Sequence, residues 1–341
     1  MSNIVIRNKL IIGFVCLLCL ASCSSESPYE YLVHGETMGT TYNVKMVFEY
    51  PRSSDELNVY RTEVEKALNR VDSLMSTYRA DSEVSILNNT PEGQSLLLST
   101  QTYEVLDAAY NISRLTEGSF DITVGPLVDL WGFGPRYEQD KVPSSQDVLA
   151  AKRKVSWQAI KLNDGQVRKK QNVSVDLSAI AKGYAVDQVA KSLKRIKVEN
   201  FLVEVGGEIT VYGLNKRKNS WVLGIEQPNI SGRTAYTTVS LNDNSLATSG
   251  DYRNYFEKDG ERYSHTIDPK TGYPVKHRLA SVSVISDSCM ESDALATALM
   301  VMGEERGYQF ALKEGIDAYF IYRENEQFKT IYTPGFEPYL N

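Results

Sequence analysis

The sequence predicts an α+β fold with mixed or antiparallel sheets and packed helices. Helical periodicity occurs in separate stretches near the start, middle and end of the chain. Between them, the region from Asn200 to Ser286 breaks into short strand-like runs with turn signals. No Pro/Gly/Ser-rich linker follows residue 35, so the 341 residues suit one large domain or two intimately packed ones without an obvious cut point.

The elements follow in order. Tyr42, Val44, Met46 and Phe48 alternate with polar residues as a half-buried strand does, and Val64, Ala67, Leu68, Val71 and Leu74 then fall on one helical face. A second helix is predicted from about Thr102 to Leu115, with Val105, Leu106, Ala109 and Ile112 inward and Gly118 just past its end. Val173 and Val175 read as a strand feeding a third helix over about Ser178 to Leu193. FLVEVGG, EITVYG, WVLGIEQP, AYTTVSL and LASVSVIS read as strands. Closing helices over about Ser292 to Met302 and Glu304 to Lys313 precede a last strand, DAYFIYR.

The N-terminus bears on the compartment. Arg7 and Lys9 precede an apolar run, Leu10 to Leu20, long enough for a signal-peptide core and too short for a permanent span. It ends in LASC, which resembles a bacterial lipobox and makes Cys23 the expected lipidated first residue of the mature chain. An ordinary signal cleaved nearby is the alternative. SSESPYE then reads as part of a flexible tether over 23–34, and 35–341 as the folded domain. Cys16 and Cys19 fall inside the signal, so Cys289 is left alone in the domain and no internal disulfide is expected. Loss of Arg7 and Lys9 with the signal would take the formal charge from −6 to −8, which argues against nucleic acid as a partner.

Several clusters carry chemistry. HTIDPKTGYP, His265 to Pro274, holds one of three histidines beside Asp268, a candidate proton acceptor near neutral pH; a hairpin turn with a surface histidine is the plainer reading. DLSAIAKGYAVD, Asp176 to Asp187, opens a helix whose free N–H groups and Lys182 favour anions, phosphate above all. Capping by Asp176 and a snorkelling Lys182 explain it equally well. Asp293 and Thr297, four apart in a helix, share a face and offer the hard oxygens that Mg²⁺ or Ca²⁺ takes, or are a first-turn charge and an internally bonded hydroxyl. GSFDITVGPLVDLWGFG, Gly118 to Gly134, and Tyr78 in MSTYRADSEVS supply aromatics that can wall a flat ring or simply fill core. Gly206 and Gly207 allow close backbone approach to a ligand or form a bulge. Beyond the predicted signal segment, which contains Cys16 and Cys19, HExxH, CxxC, GxSxG, Walker and GxGxxG patterns are all missing, so zinc hydrolase, thiol redox, α/β-hydrolase and nucleotide-loop readings lack their parts.

From HGETMGTTY (His34 to Tyr42) onward, through MSTYRADSEVS, GSFDITVGPLVDLWGFG, DLSAIAKGYAVD, VEVGGEI, ATSGDYRNY, HTIDPKTGYP and ESDALATAL, the chain resembles the ApbE family, the FAD:protein FMN transferases. The resemblance implies an exported, often lipid-anchored enzyme on the periplasmic side of a bacterial membrane. Such an enzyme cleaves its substrate FAD and attaches FMN through a phosphoester to a threonine of a target flavoprotein, releasing AMP. Carried over by residue, it implies FAD contacts at Met38, Tyr78, Ser119, Phe120, Asp121, Asp176, Lys182 and Ile267. It also implies Mg²⁺ on Asp293, Thr297 and the backbone oxygen of Ala179, and His265 as the base. Asp268, if close, could fix the imidazole tautomer. The chain departs from the family pattern at Ser178 and Ala179, where glycines are usual, at Ile122 in place of a proline, and at Thr266 in an often aliphatic position. A backbone ligand at Ala179 tolerates a methyl group. Two other functions fit the same motifs, an FAD pyrophosphatase using water and a lipid-anchored flavin carrier. A carrier would need neither base nor metal.

Overall fold

The computed structural model describes residues 27–134, 142–228, 234–252, 254–325 and 327–341; Cys23 and the predicted export segment lie outside them. The described chain opens with a hairpin, β1 (Tyr29–Thr37) and β2 (Thr40–Phe48), joined by the two-residue turn Met38–Gly39. Both turn residues have positive φ, 49° and 73°, as a type I′ turn matched to strand twist requires. β1 shortens the expected tether. From Tyr29 the chain is already an edge strand, because Tyr31 and Val33 alternate inward.

α1 (Ser54–Met75) starts at a capping box, with Ser53 and Glu56 each satisfying the other's backbone N–H, and buries Tyr60, Val64, Leu68 and Val71. α2 (Glu83–Asn89), β3 (Ser95–Leu97), α3 (Thr100–Leu115), α4 (Gly125–Leu130), α5 (Ser145–Lys152), β4 (Ile160–Asn163) and β5 (Gln166–Lys169) follow. Val173 and Val175 are buried as expected but form no strand. Asn88 instead holds Val175 by both its N–H and its carbonyl (2.6 and 2.9 Å). α6 (Ala181–Arg195) begins three residues later than predicted. Asp176 accepts from the Ser178 backbone and hydroxyl in a local turn, so it is not the helix cap.

The remaining elements are β6 (Phe201–Val205), β7 (Glu208–Tyr212), β8 (Trp221–Glu226), β9 (Ala235–Leu241), β10 (Ser245–Gly250), β11 (Tyr255–Lys258), β12 (Glu261–Ser264), β13 (Leu279–Ser286), α7 (Cys289–Glu314), β14 (Asp317–Glu324) and β15 (Gln327–Tyr332). α7 contains both predicted closing helices, separated at Gly303, whose φ of 80° is non-helical. An eight-stranded sheet runs β1-β2-β6-β7-β10-β13-β14-β15 with every neighbouring pair antiparallel, which resolves the mixed-or-antiparallel expectation.

The period-two alternation of the strands sorts the two faces. Val44, Met46 and Phe48 of β2 pack with α1, α3 and α6, whereas Val47 faces a second core built with β8, β9 and Phe336. β13 is buried along almost its whole length, with α7 on one side and the β8–β9 layer on the other, which explains its nearly continuous apolar sequence. The fold is α+β, with α1, α3, α6 and α7 on one face of the large sheet and α4 and α5 in a separate cluster with Ile267, Phe256 and Tyr263.

Candidate active site

α6 and α7 meet N-terminus to N-terminus and cap each other. Asp187 of α6 accepts from the backbone N–H groups of Cys289 and Met290 and from the Ser288 hydroxyl (3.0, 3.0 and 2.9 Å), and Asp293 of α7 accepts from Gly183 N–H (3.0 Å). Each carboxylate thus satisfies amides that the other helix leaves free. The approach requires Gly183: a Cβ there would lie 2.3 Å from the Cys289 carbonyl oxygen and 2.8 Å from Met290 Cα. We expect Gly183→Ala to destabilise the protein by about 1–3 kcal/mol, as overpacking of rigid backbone does. A denaturant midpoint equal to the parent's would contradict this contact.

Beside this clasp opens a cavity of about 720 Å³, within the range of small-molecule sites. Its wall joins segments far apart in sequence. The β1–β2 hairpin brings Thr40 and Thr41, the segment before α4 brings Phe120 and Asp121, and the turn into α6 brings Asp176, Ala179 and Lys182. Gly206, Gly207 and Glu208 join from β6–β7, His265 and Ile267 from the turn after β12, and Asp293 and Thr297 from α7. Two bonds tie motifs together: Asp176 N–H to the Ile122 carbonyl (2.7 Å), and the Trp131 indole N–H to the Gly272 carbonyl (2.9 Å).

One side is strongly charged. Lys182 Nζ lies 2.7 Å from Glu208 Oε1 and 3.7 Å from Asp293 Oδ1. Burial disfavours the ammonium, but Asp293 and Glu208 outweigh it and hold Lys182 well above the usual lysine value. Glu208 is raised, because burial and the neighbouring Asp293 outweigh the single cation. Since Gly183 N–H turns to Asp293, it does not close a helical bond on the Ala179 carbonyl. Thr297 Oγ1 sits 3.4 Å from Ser249 Oγ.

On the other side, His265 packs edge-on to Phe133 and its Nδ1 is 2.9 Å from the Asn254 carbonyl. A carbonyl only accepts, so Nδ1 carries the proton and Nε2 keeps its lone pair. The orienting partner is therefore Asn254 rather than Asp268, which is taken up by the backbone N–H of Lys270 (2.8 Å) within its own turn. Burial lowers the His265 pKa from its ordinary value, with the Asn254 carbonyl opposing.

The sequence profile of the ApbE family matches residues 38–320. The chain belongs to the ApbE family. Two curated FAD:protein FMN transferases show how close the relationship is. The one from Vibrio cholerae serotype O1 is 43% identical over 98% of this chain and 99% of its own, and the one from Haemophilus influenzae is 39% identical over 94% and 95%. The solved flavin transferase ApbE from Vibrio cholerae superposes with a TM-score of 0.85 at 41% identity, covering 92% of this chain and all of that one. The Thermotoga maritima ApbE protein gives 0.82 at 28% over the same shares.

In this ApbE chain the fold gathers most of the residues that the resemblance implied. Tyr78, Phe120, Asp121, Asp176, Ala179, Lys182, His265, Ile267, Asp293 and Thr297 all line the cavity, Tyr78 standing 77% exposed at its rim. Met38 and Ser119 do not. Met38 forms the tip of the β1–β2 turn and packs on the main core, and the buried Ser119 hydroxyl accepts from Arg306 of α7 (3.0 Å). Asp121 is occupied as well, accepting from Thr123 N–H and hydroxyl (2.8 and 2.6 Å) and from Trp157 N–H (3.2 Å). Of the aromatics in Gly118–Gly134, Phe120 and Phe133 reach the cavity, whereas Trp131 is core. Sequence reasoning passed over Glu208, Asn254 and Asp187. Only Glu208 had a local signal, its place after Gly206 and Gly207.

Among the described residues no three His, Cys, Asp or Glu side chains converge into a metal cage. Asp293, Thr297 and Ala179 all line the cavity and would offer one carboxylate, one hydroxyl and one backbone carbonyl, a sparse set of hard oxygens. Such a set suits Mg²⁺, which binds through one or two carboxylates and completes its shell with water and substrate phosphate.

Proposed function

We propose that this protein is an FAD:protein FMN transferase that uses Mg²⁺ to transfer FMN from FAD to a threonine hydroxyl of a target flavoprotein, releasing AMP. The observation that carries the reading is one cavity with a tautomer-locked histidine on one wall and Lys182, Asp293 and Thr297 on another. Asp293, Thr297 and the Ala179 carbonyl would hold the cation, which when bound neutralises charge on the pyrophosphate oxygens.

The residues of this chain do the rest. Phe120, Ile267 and Tyr78 offer apolar surface to the flavin, which is cargo and undergoes no redox change. His265 Nε2 takes the threonine Oγ proton as Oγ attacks the phosphorus nearer the flavin. The Oγ–P bond forms, the P–O bond to AMP breaks with its electron pair leaving on AMP, and the proton passes from the imidazolium to solvent. Lys182, held cationic beside the cavity, stabilises the negative charge that grows on the phosphate oxygens. Incubating the protein with FAD, Mg²⁺ and an acceptor protein should give AMP and protein-bound FMN in equal amounts. AMP release independent of acceptor would mean a pyrophosphatase, and no AMP at all a flavin carrier.

The apolar run ending in LASC supports export and lipid anchoring through Cys23 on the periplasmic side of a bacterial membrane. Cys23→Ser should release the protein from membranes or stall its processing. A variant processed and membrane-bound like the parent would refute the anchor.

A further inference from the structure

Glu208 is a buried carboxylate of the cavity that the proposed reaction leaves without a task and that, unlike Asp121, is not fully taken up by protein donors. It is 3% exposed and lines the cavity, and its Oε1 faces Lys182. Its Oε2 is buried with no hydrogen-bond partner among the described residues. Buried carboxylate oxygens are normally satisfied, and an orphan facing a cavity marks a place where a ligand's donor belongs. The arrangement points the same way. Two buried carboxylates, Glu208 and Asp293, face the single ammonium of Lys182, and an added cation between them would relieve the crowding of like groups where a neutral ligand would not. Asp293 commits Oδ2 to Gly183 N–H, which leaves Oδ1, on the Lys182 side, for an ion. A small hard cation keeps several waters, and those waters are donors that an outer carboxylate accepts.

We propose that Glu208 is a further carboxylate of the cation site, accepting through Oε2 a water of the divalent ion held by Asp293. This rests on the reading of Asp293 as a cation ligand. Lys182 then has two seats, Glu208 in the free protein and substrate phosphate once the ion has entered. Glu208 is in this sense a positioning residue for both the ion and the lysine.

The test uses the full chain in detergent and Mn²⁺ as an EPR-visible probe, titrated with and without FAD. Glu208→Gln is expected to weaken Mn²⁺ binding by about 10–100-fold, the usual worth of an outer-sphere partner. Glu208→Asp, which keeps the charge but withdraws the oxygen, should weaken it less. Parental Mn²⁺ affinity in Glu208→Gln, with loss of binding in Asp293→Asn, would overturn this assignment while leaving the cation site standing. Parental affinity in both variants would overturn the site itself. If Glu208 only seats Lys182, Glu208→Gln will change FAD affinity in EDTA and leave Mn²⁺ affinity untouched, which also refutes the proposal. Should Glu208→Gln fail to fold, the comparison of Glu208→Asp with the parent decides it, equal Mn²⁺ affinity being the refuting result.

Discussion

Replacing His265 by alanine should cut FMN transfer by roughly two to four orders of magnitude while FAD affinity stays near the parent's, the usual worth of a positioned general base. The reason is geometric: Asn254 fixes the Nδ1 proton, so Nε2 is the free base in the cavity wall. The pH dependence has a definite sign. Burial favours the neutral imidazole, so the acid limb of transfer activity should fall at a pH below about 6.5, the unperturbed histidine value. The unfolded chain takes up its proton first on acidification. His265 therefore supports folding fully above about pH 6.5, and its contribution is lost as pH falls from there through the lower folded value. Equal acceptor labelling by parent and His265→Ala, or an acid limb above pH 6.5, would rule out this base.

Asp293 should be at least as costly to lose, because it serves two ends. Asp293→Ala removes the proposed cation ligand and leaves Gly183 N–H without its acceptor, and an unsatisfied buried amide costs about 1–3 kcal/mol. Asp293→Asn separates the effects, since its amide oxygen still accepts from Gly183 while its charge is gone. We expect Asn to melt close to the parent and Ala several degrees lower, with both losing transfer by about two to four orders of magnitude. That range corresponds to the several kcal/mol a cation contributes at about 1.4 kcal/mol per factor of ten. Full transfer by Asp293→Asn in EDTA-treated buffer would exclude a carboxylate-held cation.

Much of the fold was legible because periodicity is a local property. The helices around Val64 and Val105 and the strands from Phe201 to Ser286 stand close to where hydrophobic spacing put them. The misses have local causes. Val173 and Val175 alternate as a strand would, yet among the described residues no strand pairs with them, and the Asn88 side chain supplies Val175 with the partners that a sheet would have given. The helix after Asp176 starts late because the Asp176 side chain bonds to Ser178 first. The strand from Tyr29 was missed because a charged, polar edge strand reads like a tether.

By itself the sequence determined the α+β class, the motif series that marks the family, and the residue types able to carry the chemistry, since these depend on composition, spacing and order along the chain. The tertiary structure alone decided which of those residues share a space. It brought His265 and Asp293 to one cavity, turned Ser119 toward Arg306, gave His265 the Asn254 carbonyl in place of Asp268, and set Glu208 against Lys182. Those pairings join positions that are distant along the chain or lie in different turns of it. They follow from how an antiparallel sheet and two mutually capped helices close around a site, which no local pattern encodes.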